Sequence, residues 1–291
     1  MDRYQVFQLR ICGIVVRFVC PTPIPLPDSF LALRCEDSAA PNDIYTINLL
    51  TSPLRPTEPL VTTEGETRIY HTEKGWLHIY PALGDEEGCQ VACLFCPDGN
   101  HTLYYPASRW EEYSQNLLCA HLICGERLLL RHNAILLHSS FVICGGKAVL
   151  FSGPSGAGKS TQAALWNKHL GVPVINGDRT VIRLQNDEFL AGGSIWSGTS
   201  KIYYPDTAPI AGIFLVEKAP YEKVERLGFD AFVPLFSQTL VNSWDPEFME
   251  KALDLLGKLM EQIPVYRLFC RPVPEAPQLG LETLFGKEFL P

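Results

Sequence analysis

The chain has 291 residues, 46% of them hydrophobic, and carries a formal net charge of −8 with a pI of about 5.4. That length fits about two domains with hydrophobic cores, and the acidic balance argues against a duplex nucleic-acid binder, which usually presents a basic face. No run reaches the ~18 uncharged apolar residues of a membrane span, and the apolar run between Arg10 and Arg17 is too short for a signal peptide. We therefore expect a cytoplasmic protein with no nucleic-acid or membrane partner, whose ten cysteines are reduced thiols.

The first hundred residues carry the pattern of short β-strands. The proline-rich run from Pro21 to Pro27 predicts an extended connector. Between Tyr45 and Tyr105, Gly, Pro, Asp and Asn separate the β-rich runs YTINLL, TRIYHT, GWLHIYP, CQVACLFC and NHTLYYP. We predict a mostly-β N-terminal domain of antiparallel hairpins over residues 1–108.

The pattern becomes helical after residue 108. Trp110, Tyr113, Leu117, Cys124 and Leu128 recur at the three-, four- and seven-residue spacings of one helix face. The sequence therefore predicts a linking helix over residues 109–133, followed by a second domain over residues 134–291.

The second domain opens with a predicted hairpin. Gly145-Gly146 separates two apolar runs in LHSSFVICGGKAVLF, which is the signal of a two-residue turn. The register set by this turn places Cys144 opposite Lys147, Val142 opposite Val149, Ser140 opposite Phe151 and, by extension, His138 opposite Gly153. The hairpin thus brings a histidine to the start of a glycine-rich segment.

The rest of the chain alternates helical and strand patterns. The predicted elements are a helix over Thr161–Leu170 ended by Gly171, a buried strand VPVIN leading to Gly177-Asp178, a hairpin of TVIRL and FLAGG, a core strand over residues 210–217, a helix from Asp245-Pro246 to Pro264, and a last strand VYRLFC. We predict an α/β domain from these elements.

Residues 153–160 fit the P-loop pattern G-x-x-x-x-G-K-[ST] without a gap, between a predicted strand and a predicted helix. Consecutive backbone N–H groups of such a turn can point at phosphate oxygens, and the following helix directs its positive end to the same place. The residues predicted to bind ATP are Gly153, Ser155, Gly156, Ala157, Gly158, Lys159, Ser160 and Thr161. Lys159 adds a charge near the β- and γ-phosphates, which also makes it a catalytic candidate.

Two side chains are predicted to hold Mg²⁺, the hydroxyl of Ser160 and the carboxylate of Asp178. Asp178 follows a buried strand and can lie beside the P-loop strand, although an ordinary turn aspartate is the structural alternative. Glu217 is a second acidic candidate, and the structural alternative is a solvated carboxylate at the end of a strand. We expect His138 to bond the γ-phosphate or the incoming hydroxyl. The structural alternative is that this histidine is only packed or hydrogen-bonded within the fold.

His138-Ser139-Ser140, GPSGAGKST and INGDRTVI occur in this order, and with them the second domain resembles the HPr kinase/phosphorylase family. The resemblance covers residues 134–217 well and 218–291 loosely. It implies an α/β P-loop kinase core related in fold to phosphoenolpyruvate carboxykinase, using ATP and Mg²⁺ to phosphorylate a hydroxyl. It also implies that Asp178 holds the metal and accepts the hydroxyl proton, while His138 orients the reaction.

The sequence departs from the family's pattern at three points. Ser139 stands where the family has glycine, and Gly177 stands where it commonly has the first of two adjacent aspartates. The glycine-rich C-terminal signature tied to phosphorylase activity and HPr recognition is not seen. The resemblance therefore implies a divergent kinase whose acceptor is a small molecule or a peptide or protein serine. The acceptor's identity, the role of the N-terminal domain and the formation of a homo-oligomer stay open.

Other interpretations compete with a kinase. The incomplete aspartate pair also fits a catalytically inactive ATP-binding regulatory module. ATP hydrolysis coupled to motion would need a catalytic arginine, for which Arg179 and Arg183 are the candidates. Glycines 192, 193 and 198 predict a flexible segment that could cover the acceptor. The alternative is an ordinary loop without that role.

Three cysteines raise a separate alternative. The spacing of Cys89, Cys93 and Cys96 resembles the cluster-binding loop of radical S-adenosylmethionine enzymes. The long β/α barrel of that chemistry has no room before the P-loop, so we interpret these cysteines as part of a cysteine-rich strand.

Overall fold

The computed structural model describes residues 4–36, 38–80, 91–115 and 122–289. The chain divides into two compact units, the first formed by Met1–Arg10 with Ile14–Leu128 and the second by Ile11–Gly13 with Leu129–Pro291. There are two sheets, each accompanied by helices, so the predicted α/β class is confirmed. No helix within the described ranges is long and apolar enough to span a membrane.

The first sheet has nine strands in the order β3-β1-β2-β4-β9-β8-β7-β6-β5. They are β1 (Gln5–Ile11), β2 (Ile14–Cys20), β3 (Arg34–Cys35), β4 (Asp43–Leu50), β5 (Leu60–Glu64), β6 (Thr67–Thr72), β7 (Gly75–Tyr80), β8 (Val91–Phe95) and β9 (Asn100–Pro106). The expectation of hairpins alone is wrong, because β4 runs parallel to both β2 and β9. The proline-rich run and helix α1 (Asp28–Leu33) lie between β2 and β4, and such a crossover is what a parallel pair requires.

The single linking helix expected over residues 109–133 is also wrong. The described residues form two short helices, α2 (Trp110–Gln115) and α3 (Gly125–Arg131). Cys124 has a φ of 49°, a left-handed conformation through which a right-handed helix cannot continue. Leu117, which contributed to the predicted helix face, lies outside the described residues.

The second unit carries an eight-stranded sheet and four further helices. The strands are β10 (Ala134–Cys144), β11 (Lys147–Ser152), β12 (Val174–Asn176), β13 (Arg179–Gln185), β14 (Glu188–Gly192), β15 (Thr207–Lys218), β16 (Lys223–Leu227) and β17 (Val265–Cys270). The helices are α4 (Lys159–Leu170), α5 (Phe232–Phe236), α6 (Pro246–Gln262) and α7 (Glu275–Phe285).

The predicted β10–β11 hairpin is confirmed. Its register runs from Cys144 opposite Lys147 to Ser139 opposite Ser152. Gly145 and Gly146 have φ angles of 55° and 75°, as a two-residue turn with two left-handed positions requires. The ladder stops one pair before the predicted partners His138 and Gly153. On this edge of β10 the backbone nitrogen of His138 donates to the Gln238 carbonyl at 2.8 Å, and Arg179 of β13 pairs with His138 on the other edge.

Strand β11 lies between two different neighbours. It is antiparallel to β10 and parallel to β15, with Ser152 opposite Leu215. The strands β10, β13, β14 and β15 are joined in that order by antiparallel pairs, so the β11–β15 pairing closes a ring of five strands. The chain that leaves the C-terminal end of β11 therefore emerges between β10 and β15.

Helices cover both faces of β11. Ala148 and Leu150 point into a core that includes Leu255, Leu256 and Leu259 of α6. The alternate residues, Val149 and Phe151, point into a second core formed with α4 and α7. This two-residue alternation between two buried faces fixes the strand and the loop that follows it.

Candidate functional site

Residues 153–158 form a tight turn between the buried strand β11 and helix α4, which begins two residues before the predicted Thr161. Gly153, Gly156 and Gly158 have positive φ angles of 142°, 78° and 112°. A Cβ atom on Gly153 would lie 3.2 Å from the carbonyl oxygen of Val216, so a side chain there would press against β15. The loop backbone can take this path because these positions are glycine.

The N-terminus of α4 is available to an anion. Gly158 stands at its N-cap, no described side chain caps it, and its first turn contains no acidic residue. The first N–H groups of a helix have no intrahelical partner, and the helix dipole makes this end positive. The twelve-residue helix α4 thus directs donors and partial positive charge at the glycine-rich loop.

Lys159 folds back over the loop. Only 6% of this residue is exposed, and its Nζ donates to the carbonyl oxygens of Gly153 at 2.9 Å and Pro154 at 3.1 Å. Burial lowers the pKa of Lys159. The nearby Asp178 carboxylate acts to raise this pKa, and the positive charge of Arg179 lowers it further. The ammonium group is therefore held at the loop by carbonyls that a phosphate can replace.

The two residues predicted to hold a metal come together. Ser160 Oγ donates to the carbonyl oxygen of Gly177 at 3.3 Å, which places the hydroxyl beside the residue that precedes Asp178. No group of three or more His, Cys, Asp or Glu side chains suited to a metal occurs in the described part of the chain. One hydroxyl and one carboxylate fit Mg²⁺, which usually keeps several waters and takes its remaining ligands from substrate phosphates.

His138 faces the same carboxylate. Its Nε2 lies 3.4 Å from Asp178 Oδ1, and its Nδ1 lies 3.2 Å from Gln238 Oε1. Ser237 Oγ donates to the Pro234 carbonyl at 2.8 Å and accepts from Gln238 Nε2 at 3.1 Å, so Gln238 turns its oxygen toward the histidine. That oxygen can only accept, so Nδ1 carries the proton and Nε2 of the neutral ring presents a lone pair.

The charges around His138 favour its neutral form. Burial lowers the pKa of His138, and the cationic Lys159 and Arg179 lower it further, while Asp178 and the bond to Gln238 act in the opposite direction. Because a lowered pKa removes the proton from the imidazole at neutral pH, His138 is an acceptor at Nε2 there.

The backbone of the loop after β14 packs directly on Asp178. A Cβ atom on Gly198 would lie 2.8 Å from both Cγ and Oδ2 of Asp178, and one on Gly193 would lie 1.7 Å from the Tyr204 carbonyl oxygen. Arg179 Nε lies 3.3 Å from Asp178 Oδ2. The glycines predicted to make a flexible cover are therefore required by close packing instead, and the loop they belong to forms one wall of the site.

Asn176 is a site residue that the sequence analysis missed. It is fully buried, and its Oδ1 accepts from the backbone nitrogens of Asp178 at 2.9 Å and Arg179 at 2.8 Å. Its Nδ2 donates toward the Trp196 carbonyl at 3.2 Å and Ser194 Oγ at 3.3 Å. The pattern Asn-Gly-Asp signals such an asparagine-centred turn, so position 176 could have been identified from sequence, but its partners in the later loop could not.

Other predicted residues lie apart from this group. Glu217 has a side chain that is 57% exposed and lies 3.8 Å from Arg267 Nε. Arg183 Nη1 donates to the Cys12 carbonyl oxygen at 3.0 Å. Cys93 is buried within β8, whereas Cys89 lies outside the described residues.

Comparisons with known proteins show no family for this chain. Neither a protein-family model nor a curated protein matches the chain. A solved structure of the HPr(Ser) kinase/phosphatase from Coxiella burnetii is 13% identical, with a TM-score of 0.29, and the match covers 51% of this chain and 87% of that chain.

Proposed function

We propose that the second unit is a divergent HPr kinase-like phosphotransferase with a core related to that of phosphoenolpyruvate carboxykinase. It would bind ATP on the loop of residues 153–161 and transfer the γ-phosphate to a hydroxyl of a small molecule or of a peptide or protein serine. The observation that carries the proposal is the convergence of Lys159, Ser160, Asp178 and His138 around the uncapped start of α4.

Each residue has a role that its contacts support. Lys159 and the N–H groups of the loop and the first turn of α4 would bind the phosphates and offset charge on the transferring group. Ser160 and Asp178 would hold Mg²⁺, which when bound neutralises charge on the β- and γ-phosphates. His138 Nε2 and Asp178 Oδ1 are two acceptors 3.4 Å apart, so an acceptor hydroxyl next to them can donate its proton to this pair.

A second function, an ATP-binding regulatory module without transfer, is favoured by one observation at position 177. A Cβ atom on Gly177 would lie 2.4 Å from Ser200 Oγ and 2.5 Å from Ser200 Cβ. A second carboxylate therefore cannot stand next to Asp178 without displacing Ser200. If one carboxylate proves insufficient for proton transfer, ATP binding alone would remain.

The proposal is tested by incubating the protein with γ-labelled ATP, Mg²⁺ and a panel of metabolites, peptides and proteins. We expect label on a hydroxyl of at least one acceptor, and a loss of about 10²-fold or more in Lys159→Ala, the size typical of removing one preorganised charge stabiliser. Lys147→Ala, an exposed lysine at the start of β11, is the matched control and should transfer at the parent rate. ATP binding with no transfer to any acceptor would select the regulatory module, and full activity in Lys159→Ala would refute the assigned role.

A further inference from the structure

An apolar surface patch lies on the second unit, in the segment that runs from the end of β16 through α5. Phe229 is 84% exposed and Val233 is 72% exposed, so both side chains project into solvent. The ring of Phe229 stacks on that of Phe232 at a centroid distance of 5.7 Å, and Phe232 stacks in turn on Phe236 at 6.4 Å. These four residues, here called the Phe229 patch, thus form a row of rings whose outermost member is largely in contact with water.

A groove of about 330 Å³ runs beside the Phe229 patch. One wall is formed by the chain from the end of β16 to Phe232, and the other by the C-terminal turn of α6 and the residues after it, between Gly257 and Pro264. Leu227 and Met260, one from each wall, pack against the buried core beneath. An exposed aromatic side chain next to an apolar groove is typical of a protein–protein contact.

The two walls of the groove carry opposite charges. Arg226 belongs to the β16 wall and Glu261 to the α6 wall, and both residues are exposed. Among the residues that the structure describes, neither side chain has an ion-pair or hydrogen-bond partner. A molecule that fits this groove therefore needs an apolar anchor for the centre, an anion for Arg226 and a cation for Glu261.

A second copy of this chain supplies all three groups. A two-fold dimer brings the same patch of both molecules together, so a side chain that projects from the patch must fit a recess within it. Phe229 projects directly beside the groove, which meets this condition. When Phe229 of each copy enters the groove of the other, the β16 wall of one molecule faces the α6 wall of its neighbour, which brings opposite charges together.

We propose that the Phe229 patch and its groove form a homodimer interface, in which Phe229 of each copy fills the groove of the other and Arg226 of each copy pairs with Glu261 of the other. Each aromatic ring would bury about 150–250 Å², which gives the interface an apolar centre with a charged rim. The inference does not depend on ATP binding, because none of these residues has a role in the phosphate transfer proposed above.

Sedimentation velocity of the purified chain at a series of concentrations tests the interface. We expect the parent to form a dimer of two 32.5-kDa chains. Phe229→Asp and Val233→Asp should each raise the dissociation constant about thirtyfold or more, because each places a charge in the apolar centre. Val61→Asp, at an exposed valine in β5 of the first unit, is the matched control for Val233→Asp and should leave the dimer unchanged.

Charge reversal tests the pairing of Arg226 with Glu261. The single variants Arg226→Glu and Glu261→Arg should each weaken the dimer about tenfold or more, since each brings like charges together at two places related by the two-fold axis. The double variant restores opposite charges and should dimerise with nearly the strength of the parent. Residues that only maintain the fold of the monomer would not show this recovery.

Three results would overturn the proposal. The first is a parent that stays monomeric up to about 100 µM, including a monomer that binds an apolar peptide of another protein at this patch. The second is a dimer that both Phe229→Asp and Val233→Asp leave intact, and the third is a double charge variant that dimerises no better than the single ones. Thermal unfolding of each variant verifies the fold, which the substitutions should preserve because all four side chains are exposed.

Discussion

Both the carboxylate and the backbone of Asp178 make contacts within the candidate site. Its carboxylate is close to His138 on one side and Arg179 on the other, while its backbone nitrogen is held by Asn176. Ser160 Oγ donates to the carbonyl oxygen of Gly177, the residue that precedes Asp178. A charge-neutral substitution at this position should therefore separate metal binding from the fold.

Asp178→Asn should weaken the magnesium dependence of nucleotide binding or turnover. The amide keeps the shape of the side chain but loses the anionic oxygen that Mg²⁺ prefers. Magnesium titrations should show a midpoint shifted to higher concentration by about tenfold or more, one lost charged ligand being worth at least that much. Asp187→Asn, at the exposed tip of the β13–β14 hairpin, is the control; coincident titrations for all three proteins would rule out the metal role.

Cys270 gives a prediction that depends on pH. Only the thiolate reacts with alkylating reagents, and burial raises the pKa of this thiol to about 11, with the bond from Gln162 opposing the shift. Because the folded state keeps this proton more tightly than the unfolded chain, the thiol stabilises the fold below about pH 9, and that contribution is lost as the pH rises toward 11.

Peptide mapping after iodoacetamide treatment measures this thiol directly. Labelling of Cys270 in the folded protein should be slow at pH 8 and rise about tenfold per pH unit up to about pH 11. The same residue in urea-unfolded protein should label at the rate of an ordinary thiol. Equal rates in the two states at pH 8 would contradict the buried, neutral thiol described here.

At the scale of elements, α4 is fixed against the sheet by α7. Trp166 of α4 is fully buried, and its ring lies 5.6 Å from that of Phe151 in β11. Gly280 of α7 lies so close that a Cβ atom there would be 2.9 Å from Trp166 Cζ2. Helix α4, which follows the glycine-rich loop, is thus held in place by a close glycine contact with α7.

The same substitution in two helices should have opposite effects. Gly280→Ala should lower the free energy of unfolding by about 1–3 kcal/mol, because the added methyl overpacks Trp166. Gly257→Ala in α6 should raise it by about 0.5–1 kcal/mol, because its Cβ meets open space and alanine is the better helix former. Urea unfolding measures both, and a stabilised Gly280→Ala would show that α7 does not pack as described.

Elements with strong local signals were predictable from sequence. The Gly145-Gly146 turn fixed the β10–β11 register, and Asp245 followed by Pro246 fixed the start of α6, where the Asp245 side chain accepts from two backbone nitrogens. Helix α7 was not predicted, because Pro277 and Gly280 interrupt its pattern. The parallel pairs of β4 were missed because neighbours far apart in the chain leave no local trace.

The residues of the candidate site also differ in whether they could be predicted from sequence. The glycine-rich loop and Asp178 could be found from short patterns, since their backbone chemistry is local. Gln238 could not, because it reaches His138 only through the tertiary structure, where its backbone oxygen accepts from the His138 nitrogen at 2.8 Å. The bond from Gln162 Nε2 to Cys270 Sγ could not be predicted either, since it joins residues 108 positions apart in the chain.

At the scale of the whole molecule, strands β10 and β15 each pair with more than one strand. The first half of β10 pairs with β13 and its second half with β11, and β15 pairs first with β14 and then with β11. His138 is the last residue of β10 in the β13 ladder and directly precedes the first residue in the β11 ladder. His138 therefore directly precedes Ser139, the partner of the last β11 residue before the glycine-rich loop, and the β10–β11 pairing fixes the position of His138 relative to that loop.

The parallel pairing of β11 with β15 has a consequence for synthesis on the ribosome. The segment GPSGAGKS leaves the exit tunnel well before the chain that carries Leu215 and Val216, yet those residues flank β11 and abut Gly153. In a growing polypeptide this segment would thus be exposed while strand β11, which precedes it, has no β15 partner. The glycine-rich loop can therefore reach its folded conformation only after β15 has been made, so cotranslational folding of the second unit cannot begin at this loop.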